Sequence, residues 1–402
     1  MSQSAPQDSQ KPDDDQSGQS EIEQMLRDSV AGFLEKSSGL DRARSLRGSH
    51  PGLDRKIWSE MAEAGWLGLM FDESHGGLGL GLTEMAVVAE ELARGLVPEP
   101  VVGAIVLAAG MLRRSDNKAL QDEFLPKIAA GEIIPALAWQ EKAGDLDPDT
   151  CSTTAEKADG SFVLNGVKRF VPMAEGADIL LVTAQISSGT APDGLAAFLV
   201  WPDSRGVSIS QDELVDGTFS TTVTLKDVAA GSADVIAYSD IAGAVIADSI
   251  SDAVVMVSAE LLGMMEEMHA ATLQFLRDRV QFDVPVGSFQ SLQHRAVDLY
   301  LHKELTRDRL NATLVGFGQS EDDAAGVIAR KISASQAKAR AADAGQMMAR
   351  QTVQLHGAIG YTDELDVTMF VRRTIVRSAW LGNAALHRRR FAELSPIEEG
   401  NE

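Results

Sequence analysis

One cysteine, Cys151, stands among 402 residues. No internal disulfide can form, and no cysteine cluster can hold a metal. A lone thiol suits a reducing compartment, so a cytoplasmic location is expected. Basic residues are scarce beside acidic ones, 36 against 59, which leaves a net charge of -23. That balance excludes nucleic acid and anionic membrane surfaces as main partners, and a polyanionic ligand needs a local basic pocket. Long apolar runs are missing too. No stretch of about 18 apolar residues is free of charge, so no membrane span is expected. The opening MSQSAPQDSQKPDDDQSGQS has neither a basic n-region nor an apolar h-region, and does not read as a secretory signal. Its Ser, Gln, Asp and Pro content reads as a disordered tail over residues 1–19. His294, His302, His356 and His387 keep no metal-ligand spacing, so no metal site is expected.

What the chain does have is three regions of different hydrophobic period. From Ser20 to about Pro135 the apolar residues recur every three or four positions, as in EIEQMLRDSVAGFLEK and TEMAVVAEELARGL. From about Ala136 to Asp240 the period drops to two. SFVLNGVKRFV, ADILLVTAQI, LAAFLVW and STTVTLKDV read as short strands separated by Asn-Gly and Gly-rich turns. From Ile241 onward the helical period returns. SDAVVMVSAELLGMMEEMHAATLQFLRDRVQF is expected to run about 30 residues. Ser288 is expected to cap a second helix, DDAAGVIARK opens a third, and Asn383 caps a last one, NAALHRRRFAEL. The fold class is therefore α+β: an N-terminal helical domain over 20–135, a middle antiparallel β-domain over 136–240, and a C-terminal four-helix bundle over 241–402.

The stretch HGGLGLGL invites a nucleotide-loop reading. Its glycines at Gly77, Gly79 and Gly81 lack the later glycine of a dinucleotide fingerprint and the Lys-Ser/Thr of a P-loop. A plain loop between helices is the better reading. Asn311-Ala312-Thr313 fits a glycosylation triplet, but on a helix it reads as accidental.

Four segments, in order, carry a resemblance. RVQFDVPVGSFQSLQH at 279–294 is similar to the R-x-x-F-G-x-x-I-x-x-F-Q segment of acyl-CoA dehydrogenases. QLHGAIGYTDELDVTMFVRR at 354–373 resembles their Q-x-x-G-G-x-G-Y/F-x-x-E segment, with Glu364 and Arg372 in place. GWLGLMFDESHGGLGLGLTEMAVVAEELAR resembles their N-terminal domain, and LNGVKRFV their β-domain hairpin. The resemblance covers nearly the whole chain from about Ser20. It implies a tetrameric architecture with FAD, which oxidises an acyl-CoA thioester to the trans-2-enoyl-CoA and hands electrons to an electron-transfer flavoprotein. It places FAD contacts at Arg279, Phe282, Phe289, Gln290, Gln354, Gly357, Ala358 and Asn383, partly across a subunit boundary.

Chemistry states what such a site needs. The α-proton of a thioester is a very weak acid, so its removal needs a positioned base and donors for the developing enolate oxygen. The flavin supplies the redox step, and the protein supplies orientation.

Against that pattern the departures are specific. The commonest family base is a Glu in a Tyr-Glu-Gly-Thr turn before the last helix. That turn reads Trp380-Leu381-Gly382-Asn383 here. Leucine cannot take a proton. Other members carry the base on the long helix, where this chain has Ala253 and Val254. Asp252 is one residue away, turned about 100° around the helix. It reads either as a displaced base or as an acid near a helix N-terminus. Where the family sets Trp-Ile-Thr/Ser against the flavin ring, this chain has Phe170-Val171-Pro172, and Pro172 has neither hydroxyl nor N–H to donate. Gln140-Glu141 replaces a Thr-Glu pair, and Ala358 replaces a glycine. No catalytic residue is assigned.

The scaffold motifs are kept while the chemical ones are lost. The resemblance extends to bacterial enzymes of α2β2 type that act on steroid side-chain CoA thioesters, in which one subunit type carries the Glu and the other lacks it. The leading reading is such a base-lacking subunit, with a homologous acyl-CoA dehydrogenase subunit as partner in a heterotetramer and a bulky acyl-CoA as substrate. Three others stay open: an active homo-oligomer with a non-standard base, a relative with other flavin chemistry, and a non-enzymatic scaffold without FAD.

Overall fold

The structure is a computed structural model and describes residues 13–158, 160–187, 192–320 and 323–395. Residues 1–12 of the expected tail lie outside the described residues. The rest of that tail corrects the expectation: helix α1 (Asp13–Phe33) begins at Asp13, ahead of Ser20. α2 (Gly39–Leu46), α3 (Arg55–Glu63) and α4 (Leu82–Arg94) follow, then a helical segment Val102–Ala109 that runs into α5 (Gly110–Arg114), and α6 (Lys118–Ala129). The Asp54 carboxylate caps α3 by accepting from the Lys56 N–H. The glycine stretch is a loop ahead of α4. A Cβ on Gly77 would lie 2.0 Å from the Phe71 carbonyl oxygen, so this glycine serves a close backbone approach.

The middle region forms β1 (Pro135–Ala138), β2 (Thr154–Ala158), β3 (Ser161–Pro172), β4 (Ile179–Ser187), β5 (Pro192–Val200), β6 (Val207–Glu213), β7 (Phe219–Gly231) and β8 (Val235–Tyr238). They make one sheet in the order β6-β7-β3-β2-β4-β5-β8, with β1 beside β4. The sheet is not wholly antiparallel as expected. β1 and β2 share one edge of β4, and both run parallel to it, Pro135 opposite Ile179 and Thr154 opposite Gln185. Alternation along a strand tells which face is buried but not which way its neighbour runs, so the parallel pairs left no mark in the sequence.

α7 (Ser239–Asp278) is 40 residues long, well beyond the run expected from Ser251. Its first turns hide from the pattern because Gly243 interrupts them. A Cβ there would come within 2.9 Å of the Asp149 carboxylate. By length and composition α7 could cross a membrane, but 78% of its most apolar window is buried inside the protein. A short hairpin, β9 (Val280–Gln281) and β10 (Val284–Pro285), leads to α8 (Gln290–Gln319). Ser288 does not cap α8. The N-cap is Phe289, and the Ser288 hydroxyl donates to the Pro285 carbonyl at 2.7 Å. α9 (Ala324–His356) is capped by Asp323. α10 (Val367–Ala379) is a helix that the sequence pattern did not separate. α11 (Ala384–Leu394) is capped by Asn383, as expected. α7 to α10 form the bundle, and the short α11 packs on α9. One apolar core runs from the N-terminal helices through α7 into the bundle. A second lies in the sheet domain, around Leu164, Val182, Phe198 and Val223.

Candidate active site and cofactor surface

A cavity of about 450 Å³ opens where the three regions meet. Pro98 and Pro100 border it from the N-terminal domain, Phe170 and Pro172 from the end of β3, Val215 and Phe219 from the β6–β7 turn, and α10 with the turn after it from the bundle. Local structure explains how β3 reaches it. The register between β3 and β7 slips between Lys168 and Val171, and Phe170 takes φ 57°. Such a bulge kinks a strand and re-aims its side chains. Pro172 then lies against Gly103, where a Cβ would stand 3.3 Å from the proline ring.

Behind this wall a buried ion pair braces the sheet. The fully buried Lys168 Nζ donates to Glu141 Oε1 at 2.7 Å and to Thr183 Oγ1 at 2.9 Å. The Glu141 carboxylate also accepts from the Ser152 and Thr153 N–H groups and the Thr153 hydroxyl. Burial works to raise the Glu141 carboxyl, but Lys168 and these donors outweigh it and hold it at about 2. Glu141 is thus a structural carboxylate and does not line the main cavity.

The turn Trp380-Leu381-Gly382 forms the opposite wall. Leu381 is 3% exposed and sits at φ 53°, in the left-handed region that a branched residue rarely enters. Its carbonyl accepts from His387 Nε2 at 2.8 Å. Gly382 is required where it stands: φ is 94°, and a Cβ would come within 2.9 Å of the His387 ring. From α9 the fully buried Lys338 Nζ donates to the carbonyls of Arg377, Ser378 and Gly382, at 3.0, 3.1 and 2.9 Å. Burial pushes Lys338 down to about 7, partly offset by the Glu260 carboxylate. Burial and then the Lys338 charge push His387 down to about 3, so it is neutral.

The ionisable side chains lining the cavity, among the described residues, are two arginines. Arg373 Nε lies 2.6 Å from the Asp216 carboxylate, and Arg377 Nε lies 3.2 Å from Glu260. The Arg377 guanidinium also covers the Trp380 ring at 4.7 Å. No side chain of this wall can accept a proton. Asp252 does not compensate. It lies mid-way along α7, not near its N-terminus, and pairs with Arg114 at 2.5 Å beside a different cavity.

The residues expected to contact FAD gather elsewhere, at the far end of the bundle. Arg279 follows the last turn of α7, and its N–H closes on the Phe275 carbonyl at 2.9 Å. Phe282 and Asp283 form the hairpin tip, both at positive φ, 55° and 62°, and the Phe282 side chain is 85% exposed. Asp283 takes this conformation at the position of the family glycine. Phe289 and Gln290 start α8, and Gln354, Gly357 and Ala358 end α9. Phe275 against His356, with ring centroids 4.5 Å apart, joins the two sets. His356 is buried and donates from Nδ1 to the Thr352 carbonyl at 2.8 Å, a structural role. The thirteen residues of α10 separate this end from the cavity turn by about 20 Å. Asn383 is at the cavity end, but its side chain accepts the Leu386 N–H as the α11 cap.

This order of domains is matched by known families. The N-terminal domain of acyl-CoA dehydrogenases matches residues 20–132, their middle domain 136–228, and their C-terminal domain 244–394. The chain belongs to the acyl-CoA dehydrogenase family. Among curated relatives, it is 26% identical over 391 residues to the mitochondrial isovaleryl-CoA dehydrogenase of Pongo abelii, covering 94% of this chain and 89% of the relative. It is 28% identical over 356 residues to the acyl-CoA dehydrogenase IpdE2 of Mycobacterium tuberculosis, covering 88% and 91%. Among solved structures, the ChsE4-ChsE5 complex from Mycobacterium tuberculosis superposes with a TM-score of 0.83 at 25% identity, covering 94% of this chain and 98% of that one. A variant of the Tcur3481-Tcur3483 steroid ACAD gives 0.80 at 27%, covering 94% and 97%.

Acyl-CoA dehydrogenases generally depend on FAD, and this chain fits the cofactor at one end only. At the bundle end, Arg279, Gln290 and Gln354 are exposed donors, and Gly357, at φ 67° with nothing within 4 Å of a would-be Cβ, leaves the backbone open to close approach. These groups suit a pyrophosphate and its adenosine. At the cavity end, Phe170, Val171 and Pro172 supply no side-chain donor. The Gln140 amide is spent on the Asp145 carbonyl at 2.9 Å, and the Thr218 hydroxyl on Asp216 at 2.7 Å. One further lining hydroxyl, that of Ser220, remains, which is little for the polar edge of a flavin ring.

Sequence reasoning missed Lys338, His387, Arg373 and Arg377 as parts of this wall. Lys338 did carry a signal. It shares a helix face with Ala334, Ala341 and Gly345, all buried, so a lysine occupies a core position of the repeat.

Proposed function

We propose that this chain is the non-base-bearing subunit of a heteromeric, FAD-dependent acyl-CoA dehydrogenase acting on a bulky acyl-CoA thioester, a steroid side-chain CoA ester. The observation that carries the reading is the cavity wall. At the turn of the family base Gly382 is kept and Leu381 is buried, its carbonyl held by His387, and among the described residues no side chain around the cavity accepts a proton.

Other features support it. Arg279, Gln290, Gln354 and Gly357 face outward, where one chain cannot enclose a cofactor but a neighbouring subunit can. The exposed Phe282 tip continues into an apolar stripe on α8, Val297, Leu301 and Leu305, spaced as one helix face. Such a stripe suits burial against another subunit. The similar ChsE4-ChsE5 structure is a complex, and the Tcur3481-Tcur3483 protein is a steroid ACAD. FAD, when bound, supplies the hydride acceptor, and this chain's share is to hold its pyrophosphate end through Arg279 and the Gln354–Gly357 turn. An electron-transfer flavoprotein takes the electrons onward.

The test is expression of the full chain alone and together with a homologous acyl-CoA dehydrogenase subunit that carries the Glu. Flavin absorbance and dye-linked turnover of a steroid side-chain CoA ester are expected only from the pair. Full turnover by the chain alone refutes the reading. A colourless pair points to a scaffold instead.

A further inference from the structure

A second cavity, of about 580 Å³, lies between the N-terminal domain and the bundle and shares no lining residue with the first. The loop ahead of α4, the end of α5, the N-terminal half of α7, the end of α8 and the start of α9 enclose it. Asp252 on its wall stands roughly 40 Å along α7 from the cofactor end. Among the described residues, three arginines and three carboxylates line it, and the carboxylates are engaged. Asp252 pairs with Arg114 at 2.5 Å, Glu84 accepts the Gly81 N–H at 2.9 Å, and Asp248 lies in the field of Arg114 and Arg330. Arg113 is left over. Its guanidinium makes no hydrogen bond or ion pair among the described residues, and its Nε is buried. Burial, and then the neighbouring Arg114 charge, hold it below its ordinary value. A largely buried cation without a counter-ion costs stability, and a chain of net charge -23 has no shortage of acids to pair it. A charge kept unpaired against stability marks a site that a ligand completes.

We propose that this cavity is a second binding site, for a small monocarboxylate with an apolar body, whose carboxylate pairs with Arg113. The ligand class follows from the walls. One surplus cation calls for one negative charge, and the planar guanidinium fork matches a carboxylate in bidentate fashion. Thr83 adds a hydroxyl that is unspent among the described residues. The Leu82 and Thr83 N–H groups, in the first turn of α4, have no intrahelical partner. Met70, Leu80, Leu314 and Phe317 supply an apolar wall for the body. A dianion such as phosphate would set a second negative charge beside Asp248 and Asp252 and would leave that wall unused. The occupant touches α4 and α5 on one side and α7, α8 and α9 on the other, so it clamps the N-terminal domain to the bundle. Nothing in this site depends on the base-lacking reading above, and either can fail alone.

The probes are hexanoate, hexanol, which keeps the body without the charge, and inorganic phosphate. With the full-length chain, hexanoate is expected to bind about 10- to 100-fold more tightly than hexanol, in keeping with a hydrogen bond between charged groups, and phosphate no better than hexanol. Arg113→Met is expected to abolish the difference between hexanoate and hexanol. It should leave the melting temperature of the empty chain unchanged or higher, because it removes an unpaired charge. Thr83→Val, with Arg113 in place, is expected to weaken hexanoate about three- to tenfold. Amide exchange tells the two cavities apart: hexanoate slows it at Leu82 and Thr83 and not at Leu381. Equal binding of hexanoate and hexanol, tighter binding of phosphate, or protection at Leu381 instead overturns the proposal. So does an Arg113→Met chain that melts lower or fails to fold, since that shows Arg113 to be a brace of the fold.

Discussion

Leu381→Glu restores the missing carboxylate in the turn that the fold has preserved. The site is 3% exposed, so burial pushes such a carboxyl upward. Arg373 and Arg377, half-buried at the turn, already face Asp216 and Glu260, and the buried Lys338 beneath it, itself pushed down to about 7, supplies the positive charge that pulls the carboxyl back. The introduced acid and Lys338 then favour each other's charged form. Burial of a charged group in a wall built for leucine costs about 1–3 kcal/mol of stability, which the rest of the chain tolerates. General-base catalysis is worth about 10²- to 10⁴-fold. The assay that isolates it is exchange of the octanoyl-CoA α-protons with deuterated water, followed by NMR, because it needs no flavin. Exchange over the unmodified chain is expected to rise within that range, while dye-linked turnover of the isolated variant stays absent, since Pro172 and its neighbours give a flavin ring no side-chain donor. Two results refute the reasoning. Bound octanoyl-CoA without exchange shows that the turn does not place position 381 against the acyl group. Full turnover by Leu381→Glu alone shows that the cavity accepts the flavin ring as it stands.

Lys168→Met leaves Glu141 buried without its cation and is expected to cost about 3–5 kcal/mol in urea unfolding. In the unmodified chain Glu141 is held at about 2 against an ordinary 4.5, so its contribution is complete above pH 4.5 and is lost as pH falls toward 2. Lys338 works in the opposite sense. Its folded value of about 7 lies below the ordinary 10.5, so the unfolded chain binds more protons between those limits and stability rises with pH across the window. The stability difference between the unmodified chain and Lys338→Met, measured by urea titration at pH 7 and 10, should grow by on the order of 3 kcal/mol. Arg279→Gln should leave the melting temperature of the isolated chain unchanged, because the side chain is exposed, and should weaken FAD retention of the pair about 10- to 100-fold by fluorimetry.

The domain order was legible because each region has its own hydrophobic period, and Asn383 showed itself as a cap because Asn directly before a periodic run has few other uses. The position of the turn was legible too, since counting from Gln354 set Leu381 directly before Gly382 and the α11 cap. Other features lay beyond local pattern. The parallel pairing of β1 and β2 with β4 depends on which strands meet. α10 was not separated because arginines interrupt its apolar period, and in the fold Arg373 and Arg377 turn inward to acids drawn from the β6–β7 turn and α7. Asp252 was open to two readings: α7 starts a dozen residues earlier than its pattern shows, so Asp252 is not at a helix start, and it pairs with Arg114 beside a different cavity, away from the position of a base.

That length of α7 bears on how the chain is made. One helix of about 60 Å packs against α4 from the first third of the sequence and against α8, α9 and α10 from the last. While the ribosome has delivered only the N-terminal helices and the sheet, α4 is covered by α1 but the face that meets α7 is bare. Separations this large in sequence slow the search for native pairings and leave sticky surface exposed meanwhile. The N-terminal region is therefore not an independent folding unit, and a chain truncated before Ser239 should aggregate or stay bound to chaperones, whereas one released after Asp278 should gain its first protease-resistant core.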